Sequence, residues 1–232
     1  MPDNFQNTSI SLEDMLRRTT WAQALSAEDF ARAREGTIER VVTAGGFVCS
    51  KGEPVDHWHG VIEGLVKMSS DWATGKTASF TGIAAGGWFG EGSMLKDEPR
   101  RYDVAALRDT RVACMRRETF HWLLDHSIAF NRFIINQINE RLGLFIGLLE
   151  SERLLNVDAR VARTMAALFH PVLQPGIEAR IAISQEEVGR LAGVSRQRVN
   201  SALRSLEEAG FLTNEYGRIT VHDLDGLRHY GG

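Results

Sequence analysis

The strongest constraint on this 232-residue chain lies in residues 184–206, where two short helical patterns flank a tight turn. Ser184 and Glu187 have the spacing of a capping box, which begins a helix. Gly193 supplies the turn, because glycine adopts the positive φ that other residues avoid. Ser195 stands where it can cap a second helix. The spacing therefore predicts a helix-turn-helix.

The second helix of this pair has two different faces. An apolar face recurs at helical spacing and comprises Val199, Ala202, Leu203 and Leu206. The opposite face is polar and can enter a major groove, where arginine reads guanine and Gln or Asn reads adenine. A helical hairpin with a solvated polar face is the alternative. We expect DNA contacts from Ser195, Arg196, Gln197, Arg198, Asn200 and Arg204.

A short hairpin follows the second helix. Phe211-Leu212 and Ile219–Val221 are strand-like runs, and turn residues lie between them. A helix-turn-helix with a hairpin behind it is a winged helix. Arg218 on the wing is expected to touch phosphate, although a solvated loop arginine fits equally well.

Composition limits the kind of DNA binder and the cofactors. A net charge of −3 excludes a generally polycationic protein, and residues 159–232 hold nine arginines, no lysine and eight acids. The DNA-facing charge must therefore be local. The only cysteines, Cys49 and Cys114, indicate reduced thiols and are too few for a four-cysteine iron–sulfur cluster. We also expect no metal and no haem. The absence of a signal peptide or long apolar run predicts a cytoplasmic protein without a membrane partner.

The apolar pattern in the middle of the chain predicts strands first and then a long helix. Residues 21–36 look helical, and residues 38–115 carry short apolar runs separated by glycine turns, which predicts an antiparallel sandwich or barrel. The helical pattern of residues 118–155 includes a coiled-coil spacing at Ile135, Ile138, Leu142, Phe145 and Leu149. We interpret it as a dimer seam, with a helix buried in a single chain as the alternative.

These patterns predict an α+β fold: an N-terminal antiparallel β sandwich or barrel, a long dimerisation helix and a C-terminal winged helix-turn-helix. The predicted segments are a flexible N-terminal segment (1–20), the β domain (21–129), the dimerisation helix (130–156) and the winged helix (157–232). Asp158 is the expected cap of the helix that opens the last domain. Gly143 and Gly147, in mid-helix, indicate close approach of a partner backbone, a sheet or a ligand.

A second glycine-rich cluster spans residues 86–93 and precedes Arg100-Arg101. A glycine-rich turn leaves backbone N–H groups free to line an anion pocket. A nearby arginine can clamp phosphate, and a carboxylate can accept from ribose hydroxyls.

The order of these parts resembles the Crp/Fnr family of dimeric transcription regulators. The resemblance implies a cyclic-nucleotide-binding-type jelly roll, a dimerisation helix and promoter recognition. It implies that Glu91 binds ribose, Arg101 binds phosphate and Arg196 reads a base. It departs from the cyclic-AMP-binding members at Tyr102, where they carry Ser or Thr, and at residues 144–146, which lack a hydroxyl.

The resemblance predicts a homodimer that binds an inverted repeat in double-stranded DNA, contacts RNA polymerase and answers to a small effector. Cyclic AMP or cyclic GMP is the first candidate, with another small ligand or no ligand left open. The expected ligand-binding residues are Gly90, Glu91, Gly92, Ser93, Arg101, Tyr102, Arg141 and Phe145.

A metal-binding alternative rests on His57, His59 and Glu63. On a strand these residues share one face, and two imidazoles with a carboxylate can form a facial metal triad. The pattern resembles the first metal motif of the cupins, which are also jelly rolls. It would make the protein a metal-dependent enzyme or a metal sensor, but no later histidine completes a second motif.

Overall fold

The computed structural model describes residues 10–71, 77–154, 156–176 and 179–231. It begins with three short helices: α1 (Leu12–Arg18), α2 (Thr20–Gln23) and α3 (Ala27–Glu35). Ser11 caps α1, and Leu16 is fully buried in the same apolar cluster as Trp21. The prediction of a flexible segment over residues 1–20 is therefore wrong for α1, because its apolar face packs into the core. Residues 1–9 lie outside the described residues.

Two antiparallel four-stranded sheets form the sandwich and confirm the predicted β domain. Their strand orders are β1-β8-β3-β6 and β2-β7-β4-β5. The strands are β1 (Thr37–Val42), β2 (Phe47–Cys49), β3 (His57–Glu63), β4 (Leu65–Asp71), β5 (Thr77–Ala84), β6 (Trp88–Phe89), β7 (Asp103–Ala106) and β8 (Thr110–Arg116), with helix α4 (Glu91–Lys96) between β6 and β7.

The apolar run that the sequence shows over residues 60–69 is divided between the two sheets at Gly64. Gly64 has a φ of 107°, which favours glycine, and a Cβ there would lie 2.4 Å from Thr110 Oγ1. The chain leaves β3 in one sheet at this point and enters β4 in the other. Buried side chains between the sheets, among them Val61, Met68 and Phe89, form the interior of the sandwich.

Helix α5 (Arg117–His126) and the long helix α6 (Ile128–Leu154) follow, separated at Ser127. Ile135, Leu142 and Leu149 expose 67%, 57% and 49% of their surface along one face of α6. Phe145 does not belong to that face, because it packs against the sandwich interior. Ile146 takes the exposed position, since four residues place it about 40° around the helix from Leu142, whereas Phe145 lies about 60° to the other side.

The last domain contains α7 (Val157–Leu168), β9 (Arg180–Ala182), α8 (Gln185–Ala192), α9 (Arg196–Glu208), β10 (Leu212–Glu215), β11 (Arg218–Val221) and α10 (Leu224–His229). Its sheet has the order β10-β11-β9, so the wing hairpin gains a third strand that the sequence patterns did not indicate. The cap of α7 is Asn156 and not Asp158: the Asn156 side chain accepts from the backbone N–H of Ala159 at 3.0 Å.

This last domain packs against β5, the edge strand of the second sheet of the sandwich. Leu65 and Ala84 of the sandwich belong to the same apolar cluster as the cores of α7, α8 and α9. Gln174 donates to the carbonyl of Gly82 at 3.1 Å and accepts from the N–H of Ala84 at 2.8 Å.

An ion pair closes the same interface. The Arg108 guanidinium contacts Glu187 Oε1 at 2.6 and 2.9 Å, and Glu187 Oε2 accepts from the N–H of Ser184 in the capping box. The Glu187 carboxylate therefore completes the N-terminal cap of α8 and pairs α8 with Arg108 of the sandwich.

No helix within the described part of the chain is long and apolar enough to cross a membrane.

Candidate functional site

The glycine cluster forms a tight turn that ends at the start of α4. Gly90 caps α4 with a φ of 95°, and a Cβ there would lie 2.1 Å from Nη1 of Arg100. Glycine is therefore required for the turn and for the close approach of the guanidinium. Glu91 follows in the first turn of α4 and is only 3% exposed.

Glu91 is bound to the long helix by a buried ion pair. Arg141 Nε donates to Glu91 Oε1 at 2.9 Å, and the two side chains are 14% and 4% exposed. Arg141 Nη2 also donates to the carbonyl of Trp88 at 2.7 Å, and Gln137 donates to the same oxygen at 3.2 Å. The turn and α6 are thus joined by three hydrogen bonds at one place.

Two buried polar atoms at this turn have no hydrogen-bond partner in the described part of the chain. They are Oε2 of Glu91 and Nε of Arg100. Most buried polar side-chain atoms are hydrogen-bonded to protein or water, so the unsatisfied acceptor and donor mark a place where another polar group can bind. A ligand carrying hydroxyls and an anion would satisfy both.

The arginine at this turn is Arg100, not the predicted Arg101. Arg101 has a side chain that is 68% exposed and makes a two-point contact with Glu98, at 2.8 and 2.7 Å. Arg100 is 3% exposed and donates to the carbonyl of Gly90 at 3.4 Å. Arg100 and Arg101 lie in the loop between α4 and β7, and the backbone of that loop turns the Arg100 side chain inward and the Arg101 side chain outward. Two neighbouring arginines give no sequence signal for that choice.

The remaining expected ligand residues take different positions. Tyr102 and Phe145 pack against the sandwich interior, and Ser93 is buried. Burial, followed by the nearby Glu91 charge, raises the pKa of Tyr102 to about 12, so its hydroxyl remains a donor at neutral pH. Gly92 is exposed, and a Cβ there would contact no heavy atom within 4 Å.

The histidines of the metal alternative lie beside Arg100 and do not form a metal site. Arg100 donates to the carbonyl of His57, and its Nη2 lies 3.4 Å from Nδ1 of His59. Glu63 contacts Arg111 at 3.4 Å. No group of three potential metal ligands occurs among the residues that the structure describes. A guanidinium against His59 also opposes a metal cation, so the metal-binding alternative is not favoured.

His59 is a buried histidine held neutral. Its ring stacks on Phe89 with centroids 5.4 Å apart. Burial is the main cause that holds its pKa well below the ordinary range, and the Arg100 charge lowers it further.

The helix-turn-helix is built as the sequence predicts. Ser184 and Glu187 form a complete capping box, Gly193 has a φ of 66°, and Ser195 Oγ accepts from the N–H of Arg198. The apolar positions of α9 are all buried: Val199, Ala202, Leu203 and Leu206.

The opposite face of α9 is open to solvent. Arg196, Gln197, Arg198 and Arg204 are exposed, and Arg218 is exposed on the wing. In the described part of the chain these four arginines form no ion pair with a carboxylate within 4.0 Å. Asn200 differs, because it is partly buried and accepts from Gln185 Nε2 at 3.3 Å. The face combines free cations with groups that can read base edges.

Comparison with known proteins agrees with this division. A cyclic nucleotide-binding domain model matches residues 39–127, and a Crp-like helix-turn-helix domain model matches residues 159–230. The chain is 26% identical over 187 residues to a CRP-like cAMP-activated global transcriptional regulator of Mycobacterium tuberculosis, covering 79% of this chain and 83% of that protein. It is 27% identical over 169 residues to a cyclic AMP receptor protein of Thermus thermophilus, covering 70% and 74%.

A solved structure shows the same fold. The structure of FixK2 from Bradyrhizobium japonicum superposes with a TM-score of 0.69 at 16% identity, covering 84% of this chain and 98% of the other. The two domain models together match most of the chain. The chain belongs to the Crp/Fnr family of transcription regulators, and it is a regulator with a cyclic-nucleotide-binding-type domain and a helix-turn-helix rather than an enzyme.

The neutral state of His59 predicts how stability changes with pH. Because its pKa is lower in the folded state than in the unfolded chain, the unfolded chain takes up the proton first. The contribution of neutral His59 to the free energy of unfolding is therefore fully present above the ordinary pKa of about 6.5. It is lost as the pH drops below that value, by at most about 1.4 kcal/mol per pH unit for this group.

We expect His59→Phe to reduce this acid-side loss in denaturant titrations between pH 7 and pH 5, since a phenyl ring keeps the stacking on Phe89. The control is His126→Gln on the exposed end of α5, which should leave the slope of the wild type. Equal slopes for His59→Phe and the wild type would contradict a neutral, buried His59.

Proposed function

We propose that this regulator acts as a homodimer that binds an inverted-repeat promoter site under the control of a small anionic effector, with a cyclic nucleotide as the first candidate. The observation that carries the proposal is the Glu91–Arg141 pair. It joins the turn that would hold the effector to the helix that would form the dimer. RNA polymerase is the expected further partner, as for a regulator acting at promoters.

Support for an effector comes from the unsatisfied atoms at the turn. Glu91 Oε2 can accept from a sugar hydroxyl, while Arg100 can turn its guanidinium toward a phosphate. Tyr102 and Phe145 line the adjoining interior, where a flat base could stack. Relatives described as cAMP-activated favour a cyclic nucleotide, and Glu91, Arg100, Tyr102, Arg141 and Phe145 are the residues that we assign to it.

Support for a dimer comes from the exposed apolar face of α6. This stripe consists of Ile128, Ile135, Ile138, Leu142, Ile146 and Leu149. Such a patch on a regular helix is typical of a protein–protein contact, and a two-fold axis would place two α9 helices side by side.

The dimer is tested by Leu142→Glu, which places like charges opposite each other in the apolar contact. Light scattering of the wild type at micromolar concentration should give twice the chain mass, and the variant should give the monomer mass, since an unpaired buried charge costs several kcal/mol. Asn139→Glu, exposed on the same helix outside the stripe, is the matched control and should stay dimeric. A monomeric wild type would contradict a dimer formed through this stripe.

DNA recognition is tested at Arg196. In a mobility-shift assay with a selected inverted repeat, Arg196→Ala should cost about 1–3 kcal/mol for each base contact that is lost and relax the preference at that base pair. Arg204→Ala should weaken all sequences alike and reduce the salt dependence, as loss of a phosphate contact does. Unchanged affinity and base preference in Arg196→Ala would refute its role as reader.

The effector site is tested by comparing two adjacent arginines. In titration calorimetry with cyclic AMP and cyclic GMP, Arg100→Gln should lower the affinity by about tenfold or more, which corresponds to about 1.4 kcal/mol. Arg101→Gln should bind as the wild type does, because its partner Glu98 lies outside the turn. If Arg101→Gln lowered the affinity and Arg100→Gln did not, Arg101 would be the ligand residue. No binding of either nucleotide at millimolar concentration would exclude cyclic nucleotides.

A further inference from the structure

A cavity lies between α6, α7 and α10, apart from the Glu91 turn. Its volume is about 810 Å³, within the range of small-molecule sites. We call it the hinge cavity, because its walls come from the helices on either side of Asn156. On α6 it is lined by Gly143, Leu144, Gly147 and Leu148, which lie about 100–240° around the helix from Leu142. A dimer formed through the exposed stripe would therefore leave the cavity open.

The two glycines are not required by packing within the chain. Each costs the helix about 1 kcal/mol relative to alanine. Apart from the backbone of α6 itself, a Cβ at Gly143 or Gly147 would contact no heavy atom of the described residues within 4 Å. No sheet in the described part of the chain therefore comes close to either position, and the approach of a partner backbone, which the sequence suggested, stays a prediction. Because glycine has no side chain, these two positions leave a recess along α6.

One cation faces this cavity without a counter-ion. Arg163 of α7 is partly buried, and in the described part of the chain it forms no ion pair with a carboxylate within 4.0 Å. The other basic groups that line the cavity have partners. Arg228 pairs with Asp225 at 3.0 Å, His170 Nε2 lies 3.5 Å from Glu140, and His229 Nδ1 lies 2.8 Å from the carbonyl oxygen of Asp225.

His170 does not supply a second positive charge. Its Nδ1 accepts from the N–H groups of Val172 and Leu173, at 3.3 and 3.2 Å, so its proton is on Nε2 and points to Glu140. Burial lowers the pKa of His170, which keeps the ring neutral near pH 7. Arg163 is therefore the group in the cavity that lacks an anion.

We propose that the hinge cavity binds an elongated amphipathic carboxylate, with its head on Arg163 and its apolar body along the wall of Leu144, Leu148 and Ala166. A partly buried cation is stabilised by an anion, and the apolar wall by a hydrocarbon. The wall from Glu140 to Glu150 is about 15 Å long at the helical rise, which suits a chain rather than a compact ligand. Because α6 and α7 meet at Asn156, such a ligand touches both domains.

Decanoate and decanol are the probes, used with the full chain in titration calorimetry below the micelle concentration of decanoate and the solubility limit of decanol. Decanoate should bind at least about tenfold more tightly than decanol. Arg163→Gln should remove this difference, lowering decanoate affinity to that of decanol and leaving decanol within about twofold. No binding of decanoate at millimolar concentration, or equal affinity in Arg163→Gln and the wild type, would overturn the proposal.

A cavity-filling pair of variants tests the location. Gly143→Leu should abolish binding of both probes, because its side chain occupies the recess. Gly143→Ala is the matched control: it gives a similar gain in helix propensity but leaves most of the volume, so it should still bind decanoate. Arg100→Gln should bind decanoate as the wild type does. Loss in Arg100→Gln with retention in Gly143→Leu would place the carboxylate at the Glu91 turn instead.

Discussion

The buried ion pair between Glu91 and Arg141 holds the glycine turn of the sandwich against the long helix α6. Both side chains are almost removed from water, so their desolvation is costly and is repaid only by close geometry and further hydrogen bonds. Arg141 meets this condition by donating to Glu91 and to the carbonyl of Trp88. A group that competes for Glu91 therefore acts directly on α6, which carries the apolar stripe on its other face.

The second connection runs through the DNA-binding domain itself. Its apolar core is continuous with Leu65 and Ala84 of the sandwich, and Arg108 holds the carboxylate that caps α8. The recognition face of α9 remains exposed in this arrangement. A change in the sandwich can therefore reach α8 through packing and through one ion pair, in addition to the path through α6.

The sequence predicted those parts whose information is local. The capping box at Ser184, the left-handed Gly193 and the buried face of α9 each depend on residues a few positions apart, and all are found in the structure. The fold class was also predictable, because glycine-punctuated short strands and a long helical pattern precede the winged helix.

The features that the sequence did not reveal depend on register and on distant contacts. The choice between Arg100 and Arg101 depends on the backbone of the loop between α4 and β7, and both residues have the same chemistry. Phe145 continues the alternating steps of three and four, whereas Ile146 interrupts them, but packing against the sandwich turns Phe145 inward and leaves Ile146 exposed. Helix α1 was missed because its apolar residues, such as Met15 and Leu16, find their partners in a core built from remote segments.

The central claim, that the Glu91 turn and the long helix are energetically joined, is tested most directly by a double-mutant cycle on unfolding free energy. The chains are the wild type, Glu91→Gln, Arg141→Gln and the double variant, each unfolded by denaturant at neutral pH. The account predicts that the two single losses are not additive, with a coupling energy of about 1–3 kcal/mol. Additive losses, within about 0.5 kcal/mol, would show that the two groups act independently and would contradict it.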